Sequence, residues 1–397
     1  MKRFKRAVPI INTLTQNGFE AYFVGGSVRD YIIGRPIGDI DIATSALPED
    51  VMRLFPRHVP VGIEHGTVIV VQEDVPYEVT TFRTEGDYED FRRPSSVQFV
   101  RSLDEDLQRR DFTMNAIAMT ETGEIVDLFG GQQAIAKKEI ATVGNAADRF
   151  QEDALRMMRG IRFVSTLGFT LEAGTKQAII KYGHLLEHIA IERITVEFEK
   201  LLVGTYCTKA LQLLVETKLY EHLPYLQMCG DFISKSAEYD WSFFKNDTEA
   251  WAFFLYCIRE EHPSVFLRQW KFSNKKIKDI VSVILYVKAR EKQEWNVFLL
   301  YKAGKDIALM AERVYEAIMN TYSNLNVESV EKVYEDLPIH NRQQLQVSGN
   351  DLLSWSKEQA GPWVANALQK IEEEVVYGRL KNEKECIKEW LHRCNLL

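Results

Sequence analysis

Short β-rich runs fill the chain up to about residue 145, and helical periodicity replaces them from there on. The first part reads "EAYFVGG", "DIDIATS", "HGTVIVVQ", "PYEVTTF" and "GEIVDLFGG", with turns between. From Ala147 strand signals nearly vanish. In "AIERITVEFEKLLVG", Ile191, Ile194, Phe198, Leu201 and Leu202 recur at three- and four-residue steps, the spacing of one buried helix face. A chain patterned this way predicts an α/β head with a mixed sheet and flanking helices, followed by all-α domains. Its 397 residues are too many for one ordinary core. Weak boundaries near "LVGTY" and "EKQEWN" divide it into 1–145, 146–205, 206–295 and 296–397. All seven tryptophans, Trp241 to Trp390, fall in the helical part, where helix-to-helix packing explains them better than base stacking.

No apolar run approaches the roughly 20 residues that span a bilayer, and "MKRFKRAVPIINTLTQNG" is too short in its apolar part for a signal peptide. The expectation is a cytoplasmic protein with no membrane partner. Five cysteines, none in the first half and none at CxxC spacing, indicate neither a zinc site nor a disulfide framework. A net charge of −8 argues against nonspecific coating of nucleic acid, so any RNA contact needs a local basic face. "RQWKFSNKKIKDI" and "RLKNEKECIKEWLHR" could supply phosphate contacts to a duplex recognised by shape, although each alone reads as a solvated helix face.

The chemistry starts in "VGGSVRDYIIGRPIGDIDIATS". Asp39 and Asp41 alternate with Ile40 and Ile42, so in a strand both carboxylates project from one face. Carboxylates in apolar surroundings are costly unless they hold a cation. Upstream, a strand Ala21 to Val24 runs into Gly25-Gly26, which allows a tight turn and a close approach to a ligand. The helix that follows should bury Val28, Tyr31 and Ile32, leave Arg29 near a mouth and stop at Gly34. Its N-terminus suits phosphate oxygens, and the Asp pair opposite suits magnesium bridging to them. An Asx-rich surface turn and simple tight packing are the competing readings. Phosphoryl transfer calls for a third carboxylate near the attacking hydroxyl, and Glu78 in "VPYEVTTFRTEG" is the candidate, unless its strand has a solvated face.

Two further constellations follow. In "DLQRRDFTMNAIAM", Arg109 and Arg110 are charged forks for phosphate, Asp111 can accept from ribose hydroxyls and Asn115 can brace the turn; a capped helix start is the alternative. In "QEDALRMMRGIRF", Asp153, Arg156, Arg159 and Arg162 recur every three residues on a helix whose other side carries Leu155, Met158 and Ile161. Such a stripe is usually solvated. Yet an acceptor and a donor one turn apart also match the edge shared by cytosine and adenine, an amine beside an unprotonated ring nitrogen. Uracil and guanine would leave those groups unpaired, at a cost on the order of several kcal/mol.

In order and spacing these segments, with "YEVTTFRTEGDYEDFRRPSSVQFV" and "DLFGG", resemble the class II tRNA nucleotidyltransferases, the CCA-adding branch of the polymerase β-like superfamily. The likeness is strong over residues 20–205 and fainter beyond. It implies a catalytic head followed by helical neck, body and tail that grip the tRNA acceptor arm. It also implies Mg2+ on Asp39 and Asp41, the triphosphate on Gly26 and Arg29, and Arg110 at the nucleotide site. Asp153, Arg156, Arg159 and Arg162 would serve base selection and phosphate contact.

The expected activity is addition of C, C and A from CTP and ATP to tRNA 3′ ends, with pyrophosphate leaving by a two-metal-ion route. The family often forms homodimers. Its branch also holds CC-adding, A-adding and poly(A)-adding enzymes, and a non-catalytic tRNA-binding protein is a reading of another class. A full-length segment Arg83 to Val97, with Gly86, Pro94 and Ser95-Ser96, predicts a mobile lever for the switch from C to A. The sequence leaves open complete against partial addition, oligomeric state, growth temperature and the RNA-contacting helical residues.

Overall fold

The computed structural model describes residues 2–86, 88–89, 93–94, 97–356 and 358–396. The chain forms two compact units, Met1–Glu238 and Tyr239–Leu397.

The first unit is built on a mixed sheet. Strands β1 (Ala21–Val24), β2 (Asp41–Thr44), β3 (His58–Val59), β4 (Thr67–Gln72) and β5 (Val75–Thr81) come first. After two short ribbon pairs, β6 (Arg83–Glu85) with β9 (Val97–Phe99) and β7 (Tyr88–Glu89) with β8 (Arg93–Pro94), come β10 (Ala118–Met119) and β11 (Ile125–Val126). The sheet order is β11-β10-β1-β2-β5-β4-β3. β2 and β5 run parallel with Asp41 opposite Glu78, while β1 lies antiparallel to β2 with Val24 opposite Asp41. This register sets the acidic positions side by side at the mouth of the Gly25 turn. Phe23, Ile42 and Val79, paired across neighbouring strands, are buried on one face, and Val24 and Ala43 pack with Phe82 on the other.

Two local expectations change. β2 begins at Asp41, so Asp39 and Ile40 precede the strand; the alternation still holds in exposure, with Ile40 and Ile42 buried, Asp39 exposed and Asp41 half-buried. In the helix Gly26–Ile32, Val28 is buried but Tyr31 and Ile32 are only half-buried, and Gly34 follows with φ +73°.

Helices then dominate, including Ala146–Glu152, Leu155–Leu167, Ala173–Tyr182, Ile191–Leu202 and Cys207–Glu216. One strand survives among them. β13 (Thr170–Leu171) pairs in parallel with β12 (Glu139–Ile140), stitching the first helices to the end of the head. Too short to show period-two alternation, it left no signal in the sequence.

The second unit is helical among its described residues. Trp251 and Trp270 are fully buried and meet edge to face, 5.1 Å between ring centroids. Leu352, Ile371, Val375, Ile387 and Leu391 anchor a further cluster. Several cations of the two basic stretches are paired: Lys276 with Asp247, Arg379 with Glu374, Lys384 with Asp351. Among the described residues no helix is long and apolar enough to cross a membrane.

Candidate active site

A cavity of about 610 Å³ in the first unit is lined by Gly25, Gly26, Asp41, Asp111, Asp153 and eight arginines: Arg29, Arg83, Arg109, Arg110, Arg156, Arg159, Arg162 and Arg193. On a chain of net charge −8 this is a concentrated cationic hollow, and an anion with several oxygens is its natural occupant.

The acidic edge comes from β2 and β5. Burial, then the neighbouring charge of Glu78, pushes the Asp41 carboxyl up to about 6; Arg110 pulls it back and Asp39 adds to the rise. Negative charge is thus crowded here beyond what the protein itself neutralises, the condition a cation relieves. Asp39, Asp41 and Glu78 offer hard oxygen donors of the kind magnesium takes. Among the described residues no three His, Cys, Asp or Glu side chains converge into a closed metal site. Coordination would therefore have to be completed by phosphate and water, the usual manner for magnesium.

Gly25 separates the two signs. Its φ is +73°, and a Cβ there would lie 3.2 Å from Arg110 Nη1 and 4.0 Å from Asp41 Oδ2. A side chain would thus be strained in backbone and crowded against the site. Arg29 departs from expectation. It is buried in the wall instead of standing at the mouth, with Nε and Nη2 on Asp30 and Nη1 donating to Asn115 Oδ1 at 2.7 Å. The Phe163 ring packs under three guanidinium groups, Arg162 at 4.0 Å, Arg29 at 5.4 Å and Arg159 at 5.7 Å, so cation–π attraction helps gather like charges.

The stripe from Asp153 to Arg162 is not one helix face. The helix Ala146–Glu152 ends at Asp153, and the next begins at Leu155. Asp153 sits in the break, where its Oδ1 accepts from Leu155 N at 3.1 Å and its Oδ2 from Arg193 at 2.9 Å. Arg156, Arg159 and Arg162 do share the second helix. Arg156 is buried, bonded to Glu152 at 2.6 Å and to the carbonyl oxygens of Arg149 and Arg109 at 3.1 and 3.2 Å. Arg162 Nε lies 2.6 Å from Glu197. Asp111 is bonded to Arg159, Asn115 and its neighbour's N–H.

Sequence reasoning missed Asp106, Arg193 and Glu197. Asp106 is fully buried and accepts from Arg109 Nε and Nη2 at 3.0 and 2.7 Å, from Arg110 Nη2 at 3.0 Å and from the Arg83 backbone N–H at 3.3 Å. Burial pushes its carboxyl up, but Arg110 and Arg109 outweigh burial and hold it below the ordinary range. Its stabilising contribution is therefore present above the ordinary aspartate value of about 3.9 and is lost as pH falls through the lowered native value. Asp106→Asn is expected to cost roughly 2 kcal/mol at neutral pH, read as a lower midpoint in urea. The difference from wild type should shrink below about pH 4.

A sheet-borne acidic edge facing an arginine cradle, with helices following, defines a nucleotidyl-transferring class of fold. The comparisons agree. Residues 21–141 match the Poly A polymerase head domain, 168–229 the probable RNA and SrmB-binding site of polymerase A, and 243–391 the putative tRNA nucleotidyltransferase domain 2. CCA-adding enzymes of Bacillus cereus and Bacillus anthracis are 72% identical to the chain over 100% of both lengths. The crystal structure of the Bacillus stearothermophilus CCA-adding enzyme in complex with CTP is 46% identical, with a TM-score of 0.92 over 100% of this chain and 98% of that one. The Thermotoga maritima CCA-adding enzyme complexed with tRNA, 20% identical with a TM-score of 0.62 over 99% and 95% of the two chains, shares the fold. The chain belongs to the CCA-adding enzymes, within the class II tRNA nucleotidyltransferases.

Proposed function

We propose that this enzyme rebuilds tRNA 3′ ends by adding C, C and A from CTP and ATP, one nucleotide at a time, with pyrophosphate leaving at each step. One observation carries the reading: Asp41, the arginine cradle and the Asp153–Arg156 pair line the same cavity. The full-length likeness to CCA-adding enzymes favours the complete activity over CC-only, A-only or poly(A) addition.

On this reading Asp39 and Asp41 hold Mg2+, as a two-ion site, which when bound neutralises phosphate charge and favours the ionised form of the attacking hydroxyl. Glu78, beside Asp41, orients the 3′ hydroxyl of the primer. Gly26, Arg29 and Arg110 bind the triphosphate, and Arg162 draws it inward. Asp153 and Arg156 present an acceptor and a donor to the base, held by Arg193 and Glu152 so that little reorganisation is needed on binding. Asp111 and Arg159 face the sugar. Residues 1–145 carry the chemistry, 146–205 select the base, and 206–295 and 296–397 grip the acceptor arm. The enzyme works in the cytoplasm, as a homodimer.

Residues 87, 90–92 and 95–96 of the expected lever lie outside the described residues; its root is the β6–β9 pair, with the Arg83 N–H on Asp106. The test supplies a tRNA lacking CCA with CTP alone, ATP alone or both, and resolves products at single-nucleotide length. Wild type should stop at CC with CTP alone and complete CCA with both; no addition at all would defeat the enzymatic reading. Shortening Glu85 to Arg92 should leave both C additions nearly intact and stop before A. Normal CCA ends from the shortened enzyme would remove the lever, and loss of the first C would place the segment in the basic scaffold.

A further inference from the structure

The basic opening "MKRFKR" is nailed to the catalytic sheet by its one aromatic residue. Phe4, on the short helix Lys2–Lys5, is fully buried. Its ring lies 4.7 Å from that of Phe23 on β1 and 5.8 Å from that of Tyr31 on the helix Gly26–Ile32. Ala7, Ile10, Ile11 and Leu14 carry the burial on into the next helix, Val8–Gln16.

Held in this way, Arg3 reaches over the segment that delivers Asp39. Its Nη1 donates to the carbonyl oxygens of Ile37 and of Gly38, the latter at 3.0 Å. From the other end of the same segment, Arg35 Nη1 donates to the Thr166 carbonyl oxygen at 2.7 Å. That carbonyl is among the last four of the helix Leu155–Leu167, which helical geometry leaves without a partner in their own helix, and a cation suits that end of the helix dipole.

The segment has little else to hold it. β2 begins only at Asp41, and among the described residues no backbone–backbone hydrogen bond fixes residues 36–39. Asp39 is exposed, and its carboxylate makes no hydrogen bond among the described residues. Asp41 is set by the sheet register, whereas the aim of Asp39 depends on the two arginine ties. Magnesium demands near-ideal octahedral geometry, so a displaced carboxylate is a weakened ligand.

We propose that Arg3 and Arg35 are positioning residues for Asp39. Together they clamp the segment before it, Arg3 from the N-terminal helix and Arg35 against the helix that carries Arg156, so that the carboxylate is in place before an ion arrives. This rests on the reading of Asp39 as a Mg2+ ligand and names what aims it.

The experiment titrates Mg2+ in two ways on wild type, Arg3→Ala, Arg35→Ala, the Arg3→Ala/Arg35→Ala double variant and Lys5→Ala. One follows the melting temperature with no nucleotide or tRNA present; the other follows kcat and KM for CTP on a tRNA lacking CCA. Arg3 and Arg35 are exposed, so each variant should fold, which the melts without Mg2+ check. Each single variant should raise the Mg2+ concentration that gives half of the effect by about threefold to tenfold in both titrations, and the double variant by more than either. At saturating Mg2+ kcat should recover and KM for CTP should match wild type, a split that a general loss of structure does not produce. Lys5→Ala removes the same charge from the same helix, where Lys5 is exposed, and should leave both midpoints unchanged. The proposal is overturned if Arg3→Ala keeps the wild-type midpoints, if Lys5→Ala moves them equally, or if Arg35→Ala lowers the melting temperature alone, since Arg35 would then only cap the helix Leu155–Leu167. Wild type whose melting ignores Mg2+ would remove the metal reading and the proposal with it. Wild type that responds to Mg2+ but adds no C would instead defeat the nucleotidyltransferase reading, while the melting midpoints still decide the proposal.

Discussion

Asp41→Ala is expected to lower C and A addition alike by roughly 10³-fold or more, while tRNA binding stays near wild type. The size follows from the several kcal/mol that charge neutralisation at a reacting phosphate supplies, at about 1.4 kcal/mol per tenfold in rate. The position follows from the register that sets Asp41 beside Glu78 and from the burial, with the neighbouring charge of Glu78, that raises its carboxyl to about 6. The fold should survive, because the substitution removes a destabilising charge from a half-buried site instead of breaking an ion pair. Incorporation and tRNA affinity measured in parallel decide it. A second readout separates metal binding from chemistry: Mg2+ should raise the melting temperature of wild type and leave that of Asp41→Ala unchanged. Appreciable turnover in the variant, or equal stabilisation of both proteins, would remove Asp41 from the metal site.

The second large effect is on base choice. Arg156→Ala should raise the use of UTP or GTP relative to CTP and ATP by about tenfold or more, because the ring N–H of the wrong bases no longer meets a fixed donor. The surrounding structure can tolerate the loss. Glu152 keeps Arg149 as an ion partner, and Arg149 also donates to the carbonyl oxygens of Arg109 and Arg110. Competition among the four triphosphates is the measurement. Unchanged selectivity with an ordinary fall in rate would mean that Arg156 serves Glu152 and the backbone alone.

Local pattern made much of this molecule legible. A short β-rich run marked Ala21–Val24, period-two alternation marked the Asp41 strand, and three- and four-residue spacing marked Ile191–Leu202; Trp241, Trp251 and Trp270 proved to be core, with Trp295, Trp355, Trp363 and Trp390 packed half-buried against a cluster of the second unit. Arg110, Asp111, Asp153, Arg156, Arg159 and Arg162, singled out by residue type and spacing, all line the one cavity. Asp106 was hidden because "LDED" presents three acids in a row, and burial alone picks out the one that holds Arg109 and Arg110. Arg193 and Glu197 were hidden on an amphipathic helix whose polar face reads as solvated.

The sequence by itself determined the α/β head, the helical remainder, and most of the carboxylates and arginines that line the cavity. Those depend on residue type and near-neighbour spacing, which periodicity records directly. Tertiary structure decided which charges are paired and which are left over: Asp153 in a helix break facing Arg193, Asp111 saturated by Arg159, Arg29 turned into the wall against Asn115. Such pairings join positions 40 to 86 residues apart. Their partners are set by how the chain closes on itself, and the energy of a charge depends on the burial and neighbours that closure supplies.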